Sequence, residues 1–211
     1  MRHVVKQVEP RSFFDWKALA SGAWQPTYDA LSGAVKRDVK MALVAEQGHI
    51  CCYCQRRLIN CDSHIEHFQP QSDPAVDPLD FDNLLCSCQD QIKKREPRHS
   101  GNLKEDWFDL VLLISPFDPG CEDRFSYTGD GRIKPASNSD QSAKETIRKS
   151  GLDIEKLNAL REKAIEPFLD DQISEDDMRE FVSGYLMKDA HGRYGEFWTT
   201  IRYVFQGYVV V

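Results

Sequence analysis

The 211 residues hold 27 lysines and arginines against 34 acids, a net charge of −7, with 41% hydrophobic side chains. That supplies a core for one domain of ordinary size, argues against a chain that grips nucleic acid by overall positive charge, and leaves no run of 18 apolar residues to span a membrane. Seven cysteines follow a start, MRHVVKQVEP, without the apolar stretch of a secretory signal. The expectation is a cytoplasmic protein whose clustered thiols hold metal rather than form disulfides.

Along the chain, Tyr28 to Gln47 is predicted as a helix. Leu31, Val35, Val39 and Leu43 recur every four residues, Thr27 stands at the cap and Gly48 at the stop. Residues 49–100 then turn rich in Cys, His, Pro, Asp and Asn, with only short apolar pieces such as Leu58-Ile59 and Leu84-Leu85. A stretch this poor in apolar residues cannot bury much alone, so a metal staple is expected. Leu103, Trp107, Leu110, Val111 and Ile114 keep helical spacing, although Val111 to Ile114 reads equally as strand. FSYTGDGRIKP predicts a hairpin turning at Asp130-Gly131. Three helical stripes follow: Leu157 to Phe168, Met178 to Leu186 entered through Ser174, and Phe197 to Phe205. Such stripes are core, not cofactor boxes.

The chemistry concentrates in the cysteine-rich stretch. Cys51-Cys52-Tyr53-Cys54 offers two thiolates to a tetrahedral zinc and needs a second pair to close the site, which Cys86-Ser87-Cys88 supplies. The expected structural zinc ligands are therefore Cys51, Cys54 and Cys88, with Cys86 as the fourth. Between the pairs lies His64-Ile65-Glu66-His67-Phe68. In an acid–histidine pair at a strand end, the carboxylate can bind a hard divalent ion, magnesium or manganese, while the neutral imidazole takes a proton from water. Asn83 can hydrogen-bond across the connecting loop. Arg98-His99-Ser100-Gly101-Asn102-Leu103-Lys104 falls at a helix start, which offers His99 or Asn102 as a second ligand of that ion and Lys104 to phosphate. Five basic residues, Lys93, Lys94, Arg95, Arg98 and Lys104, stand against one acid between Gln91 and Lys104 and are the candidate phosphate contacts. The acidic run from Asp170 to Glu180 reads as solvated surface.

The order CCYC…HIEHFQP…NLLCSC…HSGNLK resembles the HNH endonucleases. More narrowly, the chain is similar to PtuB-type HNH proteins of Septu and retron antiviral systems, over roughly residues 1–168. The resemblance implies an α+β fold with a ββα-metal core at 49–115, between an N-terminal helical segment (1–48) and a hairpin-and-helix region (116–211) of one domain. It implies His67 as general base, Glu66 as metal ligand and Asn83 as the holder of the loop. It also implies a nucleic-acid substrate, an ABC-type ATPase partner (PtuA-like) and, in retron systems, a reverse transcriptase with its hybrid DNA–RNA. The chain departs from the pattern at Ser100, where relatives carry cysteine, and at Gly101, where a ligating His or Asn is common, so His99 and Asn102 remain rival ligands. The competing reading is a non-catalytic zinc knuckle that binds nucleic acid or protein.

Overall fold

The computed structural model describes residues 1–92, 95–169 and 172–209. The first helix, α1 (Arg11–Lys17), follows Pro10 and buries Phe13. The next, α2 (Gly33–Glu46), buries Val39 and Leu43 of the four-residue repeat, together with Val44. Its start differs from the sequence expectation. Thr27 does cap, accepting from the backbone N–H of Ala30, but what it caps is a separate 3-10 turn at Tyr28–Ala30. Extended backbone at Ser32 and a φ of +58° at Gly33 break the path, because neither conformation continues a helix. Gly48, at φ +60°, ends α2 where a left-handed residue is needed.

The central hairpin pairs β1 (Ser63–His67) with β2 (Leu84–Cys88), antiparallel, in a register that sets His67 opposite Leu84 and Ser63 opposite Cys88. Gln47, at the end of α2, staples this hairpin to the helix. Its amide accepts from the N–H of Cys86 at 2.7 Å and donates to the carbonyls of Cys86 and Ile50, both at 2.9 Å. The short α3 (Gly101–Lys104) packs against β2. The helix expected to run on from Leu103 to Ile114 is not formed. Glu105 takes φ +48°, and the Asp109 carboxylate accepts from the N–H groups of Val111 and Leu112 at 2.8 and 2.9 Å. Such a local side-chain turn competes with helix for the same donors, and it leaves Leu110 and Val111 exposed while Leu113 and Ile114 are buried.

A second hairpin joins β3 (Phe125–Tyr127) to β4 (Ile133–Pro135). Four helices complete the described chain: α4 (Gln141–Lys149), α5 (Glu155–Ile165), α6 (Glu175–Leu186) and α7 (Trp198–Val204). Ser174 caps α6 through the N–H of Asp177. With two small antiparallel sheets among helices, the fold class is α+β. The main core gathers Phe13, Leu43, Tyr53, Leu84, Leu85, Phe125 and Leu152, and a second cluster of Ile165, Phe168, Met178, Val182, Ile201 and Phe205 holds the C-terminal helices together. Among the described residues no helix is long and apolar enough to cross a membrane.

The C-terminal region also clamps the cysteine loop. Gln55 accepts from the N–H of Thr199 at 2.9 Å through its side chain, and from that of Phe197 at 3.1 Å through its backbone. Tyr194 donates its N–H to Gly48 at 2.9 Å.

Gly131 tests the second hairpin. It sits at φ +76°, and a Cβ there would lie 2.0 Å from the carbonyl oxygen of Asn158 on α5. Gly131→Ala is expected to cost about 1–3 kcal/mol through backbone strain alone, and more through the clash. An unchanged melting temperature would contradict this packing.

Candidate functional site

β1 ends on Glu66 and His67, and each is held by a different set of partners. The buried Glu66 carboxylate has two unlike oxygens. Its Oε1 accepts from the Tyr53 hydroxyl at 3.1 Å and faces the Lys104 ammonium at 3.1 Å. Its Oε2 faces the His64 imidazole, with Nε2 at 3.5 Å. Gly101 lets α3 come this close, since a Cβ at that position would sit 2.2 Å from Oε2.

His67 is half-buried, with the Tyr28 ring set edge-on at 4.5 Å between centroids. Its Nε2 lies 3.0 Å from the carbonyl oxygen of Pro78. A carbonyl only accepts, so the proton sits on Nε2 and Nδ1 carries the lone pair. Burial lowers the His67 pKa from its ordinary value, opposed by the Pro78 carbonyl and the Glu66 charge, and so favours the neutral imidazole that a proton acceptor needs. Tyr28 and Pro78 also line a cleft of about 400 Å³ with Gln71 and Ser72.

Asn83 pins the loop that leaves β1. Its side-chain oxygen accepts from the Gln69 N–H and its amide donates to the Gln69 carbonyl, both at 2.9 Å, while its own carbonyl accepts from the Phe68 N–H at 3.0 Å. Three bonds to two consecutive residues fix the backbone directly after His67.

The cysteines form a second centre, where Cys51 and Cys54 meet Cys88 at the end of β2. The sulfurs of Cys51, Cys54 and Cys88 all lie within 4.8 Å of one another and are buried. Cys86 does not join that group; its thiol is turned toward Ser63. His99 does approach it: its Nδ1 lies 3.9 Å from the Cys88 sulfur, with the Ser100 hydroxyl 3.8 Å from the same atom. The Nε2 of His99 is buried without a hydrogen-bond partner, and an orphaned buried nitrogen of this kind needs an explanation. Burial pushes the Cys54 thiol up to about 12, and its thiol neighbours also raise Cys88. On Cys51, burial is outweighed by hydrogen bonds from Cys52, Cys54 and Cys88, which pull it well below the ordinary range. Three adjacent thiols therefore cannot all ionise unaided, and a divalent cation removes that conflict. The three thiols fit tetrahedral zinc; His99 Nδ1 stands beside Cys88, whereas Cys86 lies outside the group.

His99 is turned to the cysteines, not to Glu66, because Gln89 accepts from its N–H at 2.8 Å and fixes its backbone. Asn102 is half-buried and donates its amide to the Gln89 carbonyl at 2.8 Å. Lys104, expected at phosphate, has a fully buried side chain, donating to the carbonyls of His67 and Glu105 and paired with Glu66. Its ammonium is used up inside the site. Arg95 and Arg98 are exposed, and Arg98 pairs with Glu105 at 2.8 Å; Lys93 and Lys94 lie outside the described residues. Sequence reasoning gave no role to Tyr53 or His64. The signal for His64 was strand alternation, which puts residues 64 and 66 on one face.

No family model matches the chain. It is 30% identical over 139 residues to a protein of Vibrio cholerae serotype O1 biovar El Tor, the candidate HNH endonuclease of retron Vc95. The similarity covers 63% of this chain and 65% of that relative, so more than a third of each lies outside it.

Purified protein is expected to hold zinc at Cys51, Cys54 and Cys88. A chelator strong enough to strip it should lower the melting temperature, since a structural zinc contributes directly to folding. Elemental analysis without zinc, together with full thermal stability, would mean that these are simply buried thiols.

Proposed function

We propose that this protein is a metal-dependent endonuclease of the HNH type, with β1, β2 and α3 forming a ββα-metal core that hydrolyses phosphodiester bonds. The observation that supports the reading best is the pairing at the end of β1: a carboxylate anchored through one oxygen, beside an imidazole whose free nitrogen is fixed as Nδ1. Similarity to the retron relative supports it independently.

In this reading His67 Nδ1 takes a proton from a water as its oxygen attacks phosphorus, and the bond to the leaving sugar oxygen breaks. Pro78 holds the imidazole in the acceptor tautomer, and Asn83 holds the backbone beyond it, so the ring reaches the water without reorganising. Glu66 is the oxygen ligand for magnesium or manganese, an ion that would neutralise charge developing on the phosphate. His99 faces the thiols and Asn102 engages Gln89, which weakens both as ligands of that ion.

The biological setting we infer is antiviral defence of the retron or Septu kind, with this chain as the toxic effector. The motif order and the retron relative support that setting. The ABC-type ATPase (PtuA-like) and the reverse transcriptase with its hybrid DNA–RNA are proposed as partners on the resemblance of the motifs to PtuB-type proteins. The charge balance fits a nuclease that relies on partners: a chain at −7 lacks the broad cationic surface a free nuclease uses to hold its substrate.

His67→Ala is expected to lower cleavage of plasmid or RNA in Mg²⁺ or Mn²⁺ by about 10²–10⁴, the contribution of a general base, with the melting temperature little changed. Wild-type cutting by that variant would remove the assignment. Absence of cutting by the wild-type protein, alone and with its partners, would favour the non-catalytic zinc-knuckle reading.

A further inference from the structure

Glu66 presents a single oxygen to an ion, and the side chain beside that oxygen is His64. Oε1 is occupied by two donors, the Tyr53 hydroxyl and the Lys104 ammonium, each at 3.1 Å. Oε2 faces His64 Nε2 at 3.5 Å. Two ligand atoms that each sit about 2.1 Å from one ion are separated by about 3.0–3.4 Å at octahedral to tetrahedral angles. The observed spacing is therefore close to the bite of a bound ion without rearrangement of β1.

We infer that His64 Nε2 and Glu66 Oε2 together are the protein's ligands for the catalytic divalent ion, in place of His99 or Asn102. This rests on the nuclease reading for the ion's purpose, but not for its position. Residues 64 and 66 share a strand face, so the pair needs no loop to assemble it. The His64 side chain is 24% exposed and that of Glu66 is 8% exposed, which leaves the imidazole side open to water and phosphate for the remaining coordination positions. The Tyr53 and Lys104 bonds orient the carboxylate in the way outer partners orient metal ligands. An imidazole in the set favours manganese, cobalt or nickel over magnesium.

The test uses the full chain, zinc-loaded so that the cysteines are filled, with free Mn²⁺ followed by electron paramagnetic resonance. His64→Ala should weaken Mn²⁺ binding at least about tenfold, Glu66→Gln should do the same, and Asn102→Ala should bind as wild type. His64→Asp, which puts an oxygen ligand in place of the imidazole nitrogen, should recover Mn²⁺ and lose the preference for Co²⁺, and this separates ligation from damage to the fold. Wild-type affinity in His64→Ala, or no Mn²⁺ bound by the wild-type protein, overturns the inference. If His64→Ala binds as wild type while the wild-type protein cuts DNA or RNA, the ligand assignment fails and the nuclease reading stands. If Mn²⁺ binding depends on both residues but nothing is cut, alone or with its partners, the ion site stands and the nuclease reading fails.

Discussion

The buried pair between Glu66 and Lys104 holds the centre of this molecule together. Lys104 has no exposed side-chain surface and reaches Glu66 at 3.1 Å and the carbonyl of His67 at 3.3 Å. It thus ties α3 to the end of β1 at Glu66 and His67. A buried ammonium without its carboxylate is strongly unfavourable, and the reverse is equally true. Each group therefore requires the other, and the helix carrying Lys104 has little freedom of placement.

That constraint explains the odd backbone around α3. Four residues cannot form a stable helix on their own, and this one is bracketed by Ser100 at φ +58° and Glu105 at φ +48°. Non-glycine residues in such conformations cost about 1–3 kcal/mol each and persist only where surroundings over-determine them. Here the surroundings are the ion pair and the Ser87 hydroxyl, which accepts from the Gly101 N–H at 3.1 Å. Ser100 also stands beside Cys88, so the same strained turn faces both the thiol cluster and the carboxylate. The two centres are joined through one short segment, Ser100 beside Cys88 and Gly101 beside Glu66.

Much of the hairpin was readable from the residues themselves. The Cys51-x-x-Cys54 turn and the acid–histidine pair are local in the chain, and Asn83, which reaches Gln69 across the connecting loop, was singled out by its place in the motif order. His99 and Lys104 were less legible, because their directions depend on Gln89 and on the strained φ of Ser100, neither of which leaves a periodic trace. The helix expected from Leu103 to Ile114 failed for a similar reason: Asp109 diverts two N–H groups that apolar spacing assumes are available. Tyr53 was hidden inside a motif read only for its cysteines, although its hydroxyl is one of two donors orienting Glu66. The long-range clamp from Gln55 to Phe197 and Thr199 joins segments some 140 positions apart in the chain, and no local pattern announces it.

A double-mutant cycle on Glu66 and Lys104, read by denaturant unfolding of the zinc-loaded chain, tests this account most directly. Lys104→Met alone should cost about 3–5 kcal/mol, the penalty for leaving a buried charge unpaired. Combining it with Glu66→Gln should recover a large part of that loss. Additive effects of the two substitutions, with no recovery in the double variant, would contradict the claim that this pair holds α3 against the hairpin.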